Sequence, residues 1–266
     1  MSESGVWLYA VSAGLPDEVL RGSVGVGGER LRTVEQRGLV AIVGSVDLDE
    51  FGEASLRRKL DHLESLEAIA RAHHAVVEAA AAGASTVPIR LATVYRDDAG
   101  IIDLLEQRHD DFTTALERFS GRAEWGVKAY AAPTSPPEPD SDLPPGDRTG
   151  PGTSYLLQRR AQLATVDNAR QAAVKSAELV HSALSRLSVA ARQHRPQDAE
   201  LTGSAEWMVL NGAYLVNETQ ADEFADAIEK LAAANPAVRL ETTGPWPPYS
   251  FTGGEGKEPG RAEDRK

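Results

Sequence analysis

The stretch from Ala132 to Thr153 constrains this chain more than any other. It holds seven of the fifteen prolines: Pro133, Pro136, Pro137, Pro139, Pro144, Pro145 and Pro151. Proline fixes φ and offers no backbone N–H, so this stretch can be neither a helix interior nor a central strand. With Asp and Ser filling much of the rest, it predicts an extended, solvated linker between two domains. The 266 residues then divide into a domain at 1–131, a linker at 132–152, a second domain at 153–251 and a polar tail at 252–266 expected to be disordered.

Both halves carry enough apolar residues for a core, at 41% hydrophobic overall. With no cysteine in the chain, disulfides, thiolate catalysis and cysteine-based metal sites are excluded. A net charge of −12 argues against non-specific nucleic-acid binding. No apolar run reaches the roughly 18 residues of a membrane span. The opening Met1 to Val11 lacks the basic start and long apolar run of a signal peptide, so a cytoplasmic location is expected.

The pattern before the linker alternates. Val6 to Val11 reads as a strand, and Leu31 to Glu35 with Leu39 to Val46 reads as a hairpin around Gln36-Arg37-Gly38. A helix is predicted from about Ser55 to Ala82, its stripe formed by Leu56, Leu60, Leu63, Leu66, Ala70, Val77 and Ala80 and its end marked by Gly83. Val87 to Tyr95 follows as a strand, Asp97 to Phe119 as a helix and Trp125 to Ala131 as a closing strand. The sum is an α+β domain with helices on one face of a sheet. After the linker, helix spacing runs from Tyr155 to about Gln193, roughly 55–60 Å if unbroken. Trp207 to Val216 is a strand or a hairpin around Asn211-Gly212; Thr219 to Ala234 is a helix with Thr219 as its cap; Ala237 to Thr243 is a strand.

Charge is segregated. Asp97 to Ser120 carries seven acids and two arginines, whereas Thr153 to Arg195 carries seven bases and two acids. This describes two solvated faces, or surfaces for electrostatic docking.

Motifs for catalysis are sparse. His62, His73 and His74 lie near Asp61, Glu64 and Glu67 but form no His-Glu-x-x-His arrangement, and a packed or hydrogen-bonded His73 is the expectation. Asp47, Asp49 and Glu50 precede a helix, where acids cap its positive end. Gly22, Gly25, Gly27 and Gly28 miss the dinucleotide fingerprint because Arg30 stands at the third glycine, and no Walker lysine follows. No nucleophile elbow is present. No catalytic, cofactor-binding or metal-ligating residue is therefore assigned. The most unusual segment is Thr243-Gly-Pro-Trp-Pro-Pro-Tyr-Ser-Phe251. Its prolines impose an extended path, and its aromatics predict either a strap over the core or an exposed surface for another protein.

These residues resemble the gas vesicle accessory proteins GvpF and GvpL. The resemblance rests on Trp7-Leu-Tyr-Ala-Val11, Asp47-Leu-Asp-Glu-Phe-Gly52, Val87-Pro-Ile-Arg-Leu-Ala-Thr-Val-Tyr95, Glu124-Trp-Gly-Val-Lys128, Tyr155-Leu-Leu-Gln-Arg-Arg160, Leu210-Asn-Gly-Ala-Tyr-Leu-Val216 and the closing Thr243 to Phe251, in that order along nearly the whole chain. Leu91-Ala92 stands where the family usually has Phe-Gly. The Leu210 to Val216 match favours one continuous strand. The resemblance implies an N-terminal modified ferredoxin-like domain and a C-terminal α+β domain with a long helix. It implies a non-enzymatic protein of the cytoplasm and gas vesicle, without cofactor, that binds the small hydrophobic shell protein and supports vesicle formation, either as an assembly component or as a minor shell-associated one. Expected protein-binding residues are Arg90 and Tyr95 near one sheet face, Trp246, Tyr249 and Phe251, and Arg159 and Arg160 on the basic helix, which would recruit other accessory proteins. The competing classes are a metal protein or an enzyme of unknown reaction using His62, His73 or the Asp47–Glu50 cluster, and a regulatory protein that binds a small ligand through the ferredoxin-like domain.

Overall fold

The computed structural model describes residues 3–16, 18–133, 151–196 and 206–253, with the backbone alone at 151–158 and 161–162. The chain divides into two units. Unit 1 comprises Met1–Glu124 with Gly244–Lys266, and unit 2 is Trp125–Thr243. The expected linker falls outside the described residues from 134 to 150, as does the expected tail from 254.

Unit 1 is built on an antiparallel sheet of β1 (Ser4–Ala13), β2 (Leu31–Gln36), β3 (Leu39–Asp47), β4 (Thr86–Pro88) and β5 (Val94–Tyr95). The strand order is β2-β3-β1-β4, with β5 also paired to β1. This is the order and direction of a ferredoxin-like sheet. The modification lies in the first crossover, where the described residues of 14–30 form turns and no helix is found among them. Five helices follow the hairpin: α1 (Leu48–Phe51), α2 (Glu53–Leu60), α3 (Leu63–Gly83), α4 (Asp98–Gln107) and α5 (His109–Phe119).

β1 is buried along eight consecutive residues, so both sheet faces are covered. Trp7, Tyr9, Val40 and Ile42 share a cluster with Phe51, Leu56, Ile69, Val76, Val77 and Ala80 from α1 to α3. Side chains alternate along a strand, so Leu8, Ala41 and Val43 face the other way. The inward residues of α4 and α5, Ile101, Leu105, Phe112, Leu116 and Phe119, are buried outside that cluster and cover the second face. The expectation of helices on one face is corrected accordingly: alternation marks a strand's two faces but does not say which stay wet.

The first predicted helix is two. It breaks at Asp61-His62, where His62 is extended. The break takes Leu63 off the buried stripe and leaves it 70% exposed, while the core face restarts at Ile69, His73, Val76, Val77 and Ala80. The second predicted helix also divides, at Arg108, whose side chain pairs with Asp111 at 3.1 Å and lies over Phe112.

Unit 2 holds a four-stranded sheet in the order β7-β8-β6-β9. Its strands are β6 (Arg122–Ala131), β7 (Ala190–Gln193), β8 (Met208–Asn217) and β9 (Val238–Trp246). β6 had been expected to close the first sheet; it belongs to the second instead, because its apolar Val127 and Ala129 find their partners in the other cluster. That cluster is completed by Ala173, Ala177, Val180 and Leu184 of α6 (Pro151–Arg186), Leu210, Tyr214 and Val216 of β8, and Phe224 and Ile228 of α7 (Ala221–Ala234). α6 stops at Arg186, short of the predicted Gln193, and Ala191 sits in β7 paired with Tyr214. Thr219 lies in a 3-10 turn, and Gln220 occupies the cap position of α7. β8 is one continuous strand through Asn211-Gly212, and Gly212 is required there because a Cβ would meet the Tyr214 hydroxyl at 2.6 Å.

Candidate functional site

The site of unit 1 starts from a single buried side chain. His73 lies on the core face of α3, 2% exposed. Its Nδ1 accepts the indole N–H of Trp7 at 3.0 Å, and its Nε2–H donates to the Ile89 carbonyl at 3.0 Å. Both ring nitrogens are therefore used, and the imidazole is neutral. Burial is the main reason its pKa falls to about 4; the bond to Ile89 opposes the fall and His74 adds to it. A packed, hydrogen-bonded His73 is what the sequence predicted.

Ile89 is held at both ends, since its N–H also donates to the Tyr9 carbonyl at 3.0 Å. The chain rejoins β1 at Thr93, whose carbonyl accepts from Leu8 N–H at 3.0 Å. Tyr9 and Leu8 are adjacent, but Arg90, Leu91 and Ala92 intervene on the opposite side. The predicted strand Val87 to Tyr95 is thus two short strands with a three-residue excursion, an enlarged form of a bulge. The turn puts Ala92 at φ +67°, a region that glycine occupies without strain. The same turn carries the exposed Arg90 away from the sheet.

The C-terminal aromatic segment meets this excursion. Pro247, Pro248 and Phe251 are buried, and Tyr249–Phe251 forms a 3-10 turn. The turn is clamped by Glu124, whose carboxylate accepts from Ser250 N–H at 2.7 Å and Ser250 Oγ at 2.6 Å. The Arg118 guanidinium lies 5.9 Å from the Phe251 ring. Tyr249 brings its hydroxyl to 3.4 Å from His74 Nδ1, and Trp246 meets the His74 ring edge-on at 5.2 Å. Burial, with Glu124 and Glu78 adding, raises the Tyr249 pKa. Glu124 and Ser250, far apart in sequence, therefore meet through a hydrogen-bonded carboxylate.

The result is an open concavity of about 460 Å³ lined by Ala70, His73, His74, Pro88, Arg90, Leu91, Tyr249 and Thr252. Its chemistry is an apolar wall with a cation, a phenol and an imidazole. Of the expected binding residues, Arg90 and Tyr249 line it. Trp246 stands on His74 and remains 40% exposed, whereas Phe251 is buried as an anchor. Within the aromatic segment Phe251 is therefore the strapped residue, and Trp246 keeps part of its ring at the surface. Tyr95 does not line the concavity; it is half-buried on β5 with its ring against Gly100, and burial raises its pKa against the opposing charge of Arg108. Arg159 and Arg160 are exposed on α6, in the other unit. Sequence reading had not assigned His74, Leu91 or Glu124. The signal for Glu124 is that it is the single acid of β6, with apolar Val127 and Ala129 further along the strand.

The glycine-rich loop has a different occupant from a phosphate. Glu29 accepts from the Tyr9 hydroxyl at 2.5 Å and from Gly27 N–H at 2.8 Å, and Tyr9 accepts from Val26 N–H. A Cβ at Gly25 would fall 1.8 Å from the Glu29 carboxylate, so that glycine makes room for the chain's own anion. Asp47 caps α1 through Asp49 N–H, and Glu50 pairs with Lys59 at 2.9 Å. Among the described residues, no three His, Asp or Glu side chains converge as metal ligands. No helix among them is long and apolar enough to cross a membrane.

A family model described as gas vesicle synthesis protein GvpL/GvpF matches residues 5–253. Gas vesicle protein L of Streptomyces sp. (strain CB03234) is 41% identical over 247 residues, covering 93% of this chain and 92% of that protein. Gas vesicle protein F of the same strain is 27% identical, covering 89% and 93%. The fold is similar to the crystal structures of GvpF from Anabaena sp. PCC7120 and from Microcystis aeruginosa. Both have a TM-score of 0.63, at 16% and 17% identity, covering 94% of this chain and 96% and 99% of those chains.

Proposed function

The chain belongs to the GvpL/GvpF family of gas vesicle synthesis proteins, and from that premise we propose that it is an accessory protein that binds the small hydrophobic shell protein. Its role concerns gas vesicles, and the family is one of structural and accessory proteins rather than enzymes. In this reading the protein covers apolar shell surface before assembly and supports vesicle formation in the cytoplasm, either as an assembly factor or as a minor shell-associated component. The other gas vesicle accessory proteins are its further partners.

One observation carries the reading. Trp246 is 40% exposed beside the concavity of Arg90, Leu91 and Tyr249, on a segment that Glu124 and Phe251 hold in place. A large exposed aromatic on a rigid support, next to an apolar wall, is the composition of a protein-binding hot spot. An aggregation-prone apolar subunit needs such a matched cover.

The test is co-purification of the full chain with co-expressed major shell protein. The wild type is expected to retain it, and Trp246→Ala combined with Leu91→Ser to lose most of it while still unfolding cooperatively, since Leu91 is only partly buried against the core. Full retention by this variant would remove the concavity from the reading. No retention by the wild type would overturn shell binding itself.

A further inference from the structure

Helix α6 carries one seam with two fates. Its buried residues Ala173, Ala177, Val180 and Leu184 step by four, three and four, the spacing of a helix-pairing stripe. Continued toward the N-terminus at the same spacing, the stripe meets Arg170, Val166, Leu163 and Arg159. Leu163 is 55% exposed and Val166 39%. Every described side chain from 163 to 168 is exposed. The helix therefore projects beyond the sheet that buries its other half, and it keeps its apolar seam as it does so. Trp207, 45% exposed, extends the patch, because the Arg170 guanidinium lies 5.7 Å from its ring.

The charges beside the seam are mostly positive. Arg159 and Arg170 occupy seam positions and Arg160 flanks them, against the single carboxylate of Asp167 over residues 159–170. Glu206, next to Trp207, is already engaged by Arg239. A second copy of this chain fits poorly. Pairing two such helices antiparallel about Leu163 and Val166 sets Arg159 opposite the other copy's Arg170, and parallel pairing sets each arginine against itself; like charges so placed oppose association. A lipid surface fits poorly too, because interfacial helices need a broad apolar face and this one is a narrow seam with Asn168 and Gln171 close by.

We propose that the projecting half of α6, with Trp207, docks an amphipathic helix of another protein whose apolar stripe is flanked by carboxylates. Leu163 and Val166 would enter that stripe, Arg159, Arg160 and Arg170 would pair with its acids, and Trp207 would close one end. This surface lies in unit 2 and does not depend on the shell-protein reading, whose residues lie in unit 1.

The test uses the full chain and a fluorescein-labelled synthetic helix about four heptads long, with Leu at the seam and Glu at the flanking positions. A matched peptide has Lys in place of Glu. Anisotropy titration is expected to show the Glu peptide binding at least about tenfold more tightly than the Lys peptide. Leu163→Glu with Val166→Glu should weaken the Glu peptide by about tenfold or more at an unchanged thermal midpoint, because both residues are exposed. Arg159→Glu with Arg160→Glu should reduce or invert the preference between peptides. The proposal is overturned if the Glu peptide does not bind, or if both peptides bind alike. It is also overturned if sedimentation shows a dimer abolished by Leu163→Glu with Val166→Glu, which would make a second copy the occupant. Preferential capture of α6 by anionic phosphatidylglycerol vesicles would assign the face to lipid instead.

Discussion

Helices α3 and α6 begin from the same sequence signal and end in different environments. Each repeats apolar residues every three or four positions over several turns. On α3 the stripe from Ile69 to Ala80 is buried against β1, and it includes a histidine whose two nitrogens are both bonded. On α6 the stripe is buried only from Ala173 onward, and Leu163 and Val166 continue it into solvent. Periodicity establishes that a helix has an apolar face; what covers that face depends on the rest of the chain. The difference is open to measurement by substitution, best followed through hydrogen exchange of β1 and α6 amides, which reports each unit separately.

The largest contrast pairs His73→Leu with Leu163→Ala. The first leaves the buried Trp7 indole N–H and the partly buried Ile89 carbonyl without their partner. Unsatisfied buried groups cost about 1–3 kcal/mol each, so unit 1 should lose roughly 2–6 kcal/mol. Leu163→Ala removes a larger apolar side chain from an exposed turn and should change stability by no more than about 0.5 kcal/mol. A cost of several kcal/mol at Leu163 would mean that the projecting seam is covered within the folded chain.

The same histidine makes unit 1 sensitive to acid. Unfolded, His73 binds a proton near its ordinary 6.5; folded, it does so only near 4. Between these values the unfolded state holds more protons, so stability falls as pH drops from 6.5 toward 4 and this contribution is fully present above 6.5. The loss is on the order of 3 kcal/mol across the window. Opening of β1 measured by exchange should follow this curve in the wild type and lose that part of its slope in His73→Leu. An equal slope in the variant would show that another group carries the acid sensitivity.

Glu124 sharpens the comparison in a smaller way, because it fixes a segment with no apolar periodicity to read. Glu124→Gln keeps the shape but replaces the carboxylate that receives both Ser250 bonds. Charge-assisted bonds exceed neutral ones by about 1 kcal/mol, so a loss of about 1–2 kcal/mol is expected. It should be confined to exchange at residues 249–252 and be accompanied by weaker shell-protein retention. Unchanged protection there would show that Pro247, Pro248 and Phe251 hold the segment unaided.

How much of this was legible in the sequence follows from the range of the forces involved. Local signals carried far: the hairpin at Arg37-Gly38 and the packed His73 were readable, whereas Trp207 to Val216 stayed a strand or a hairpin until the resemblance favoured one strand. The family resemblance supplied the sheet type and the gas vesicle role. Features set by distant partners were not readable. Nothing within β6 says that Val127 will face Tyr214 and Phe224 rather than the first sheet. Nothing in a three-to-four repeat says that Asp61-His62 will break the helix and expose Leu63. The candidate concavity shows both cases. Arg90 and Tyr249 were singled out separately, but their meeting requires the Glu124 clamp, which spans 126 positions.

Ala92 gives the smallest effect and the finest test of the excursion that presents Arg90. A non-glycine residue in the left-handed region pays roughly 1–2 kcal/mol, because Cβ crowds the neighbouring carbonyl. Glycine removes that strain but adds freedom to the unfolded chain, an opposing cost of about 0.5–1 kcal/mol. Ala92→Gly should therefore stabilise β4 and β5 by about 0.5–1 kcal/mol, seen as slower exchange at the Leu8 amide, which donates to Thr93. The substitution leaves His73, Ile89 and Arg90 in place, so shell-protein retention should hold or rise. Destabilisation by Ala92→Gly would mean that the turn is not left-handed at this residue, and with it the geometry that carries Arg90 out from the sheet would fall.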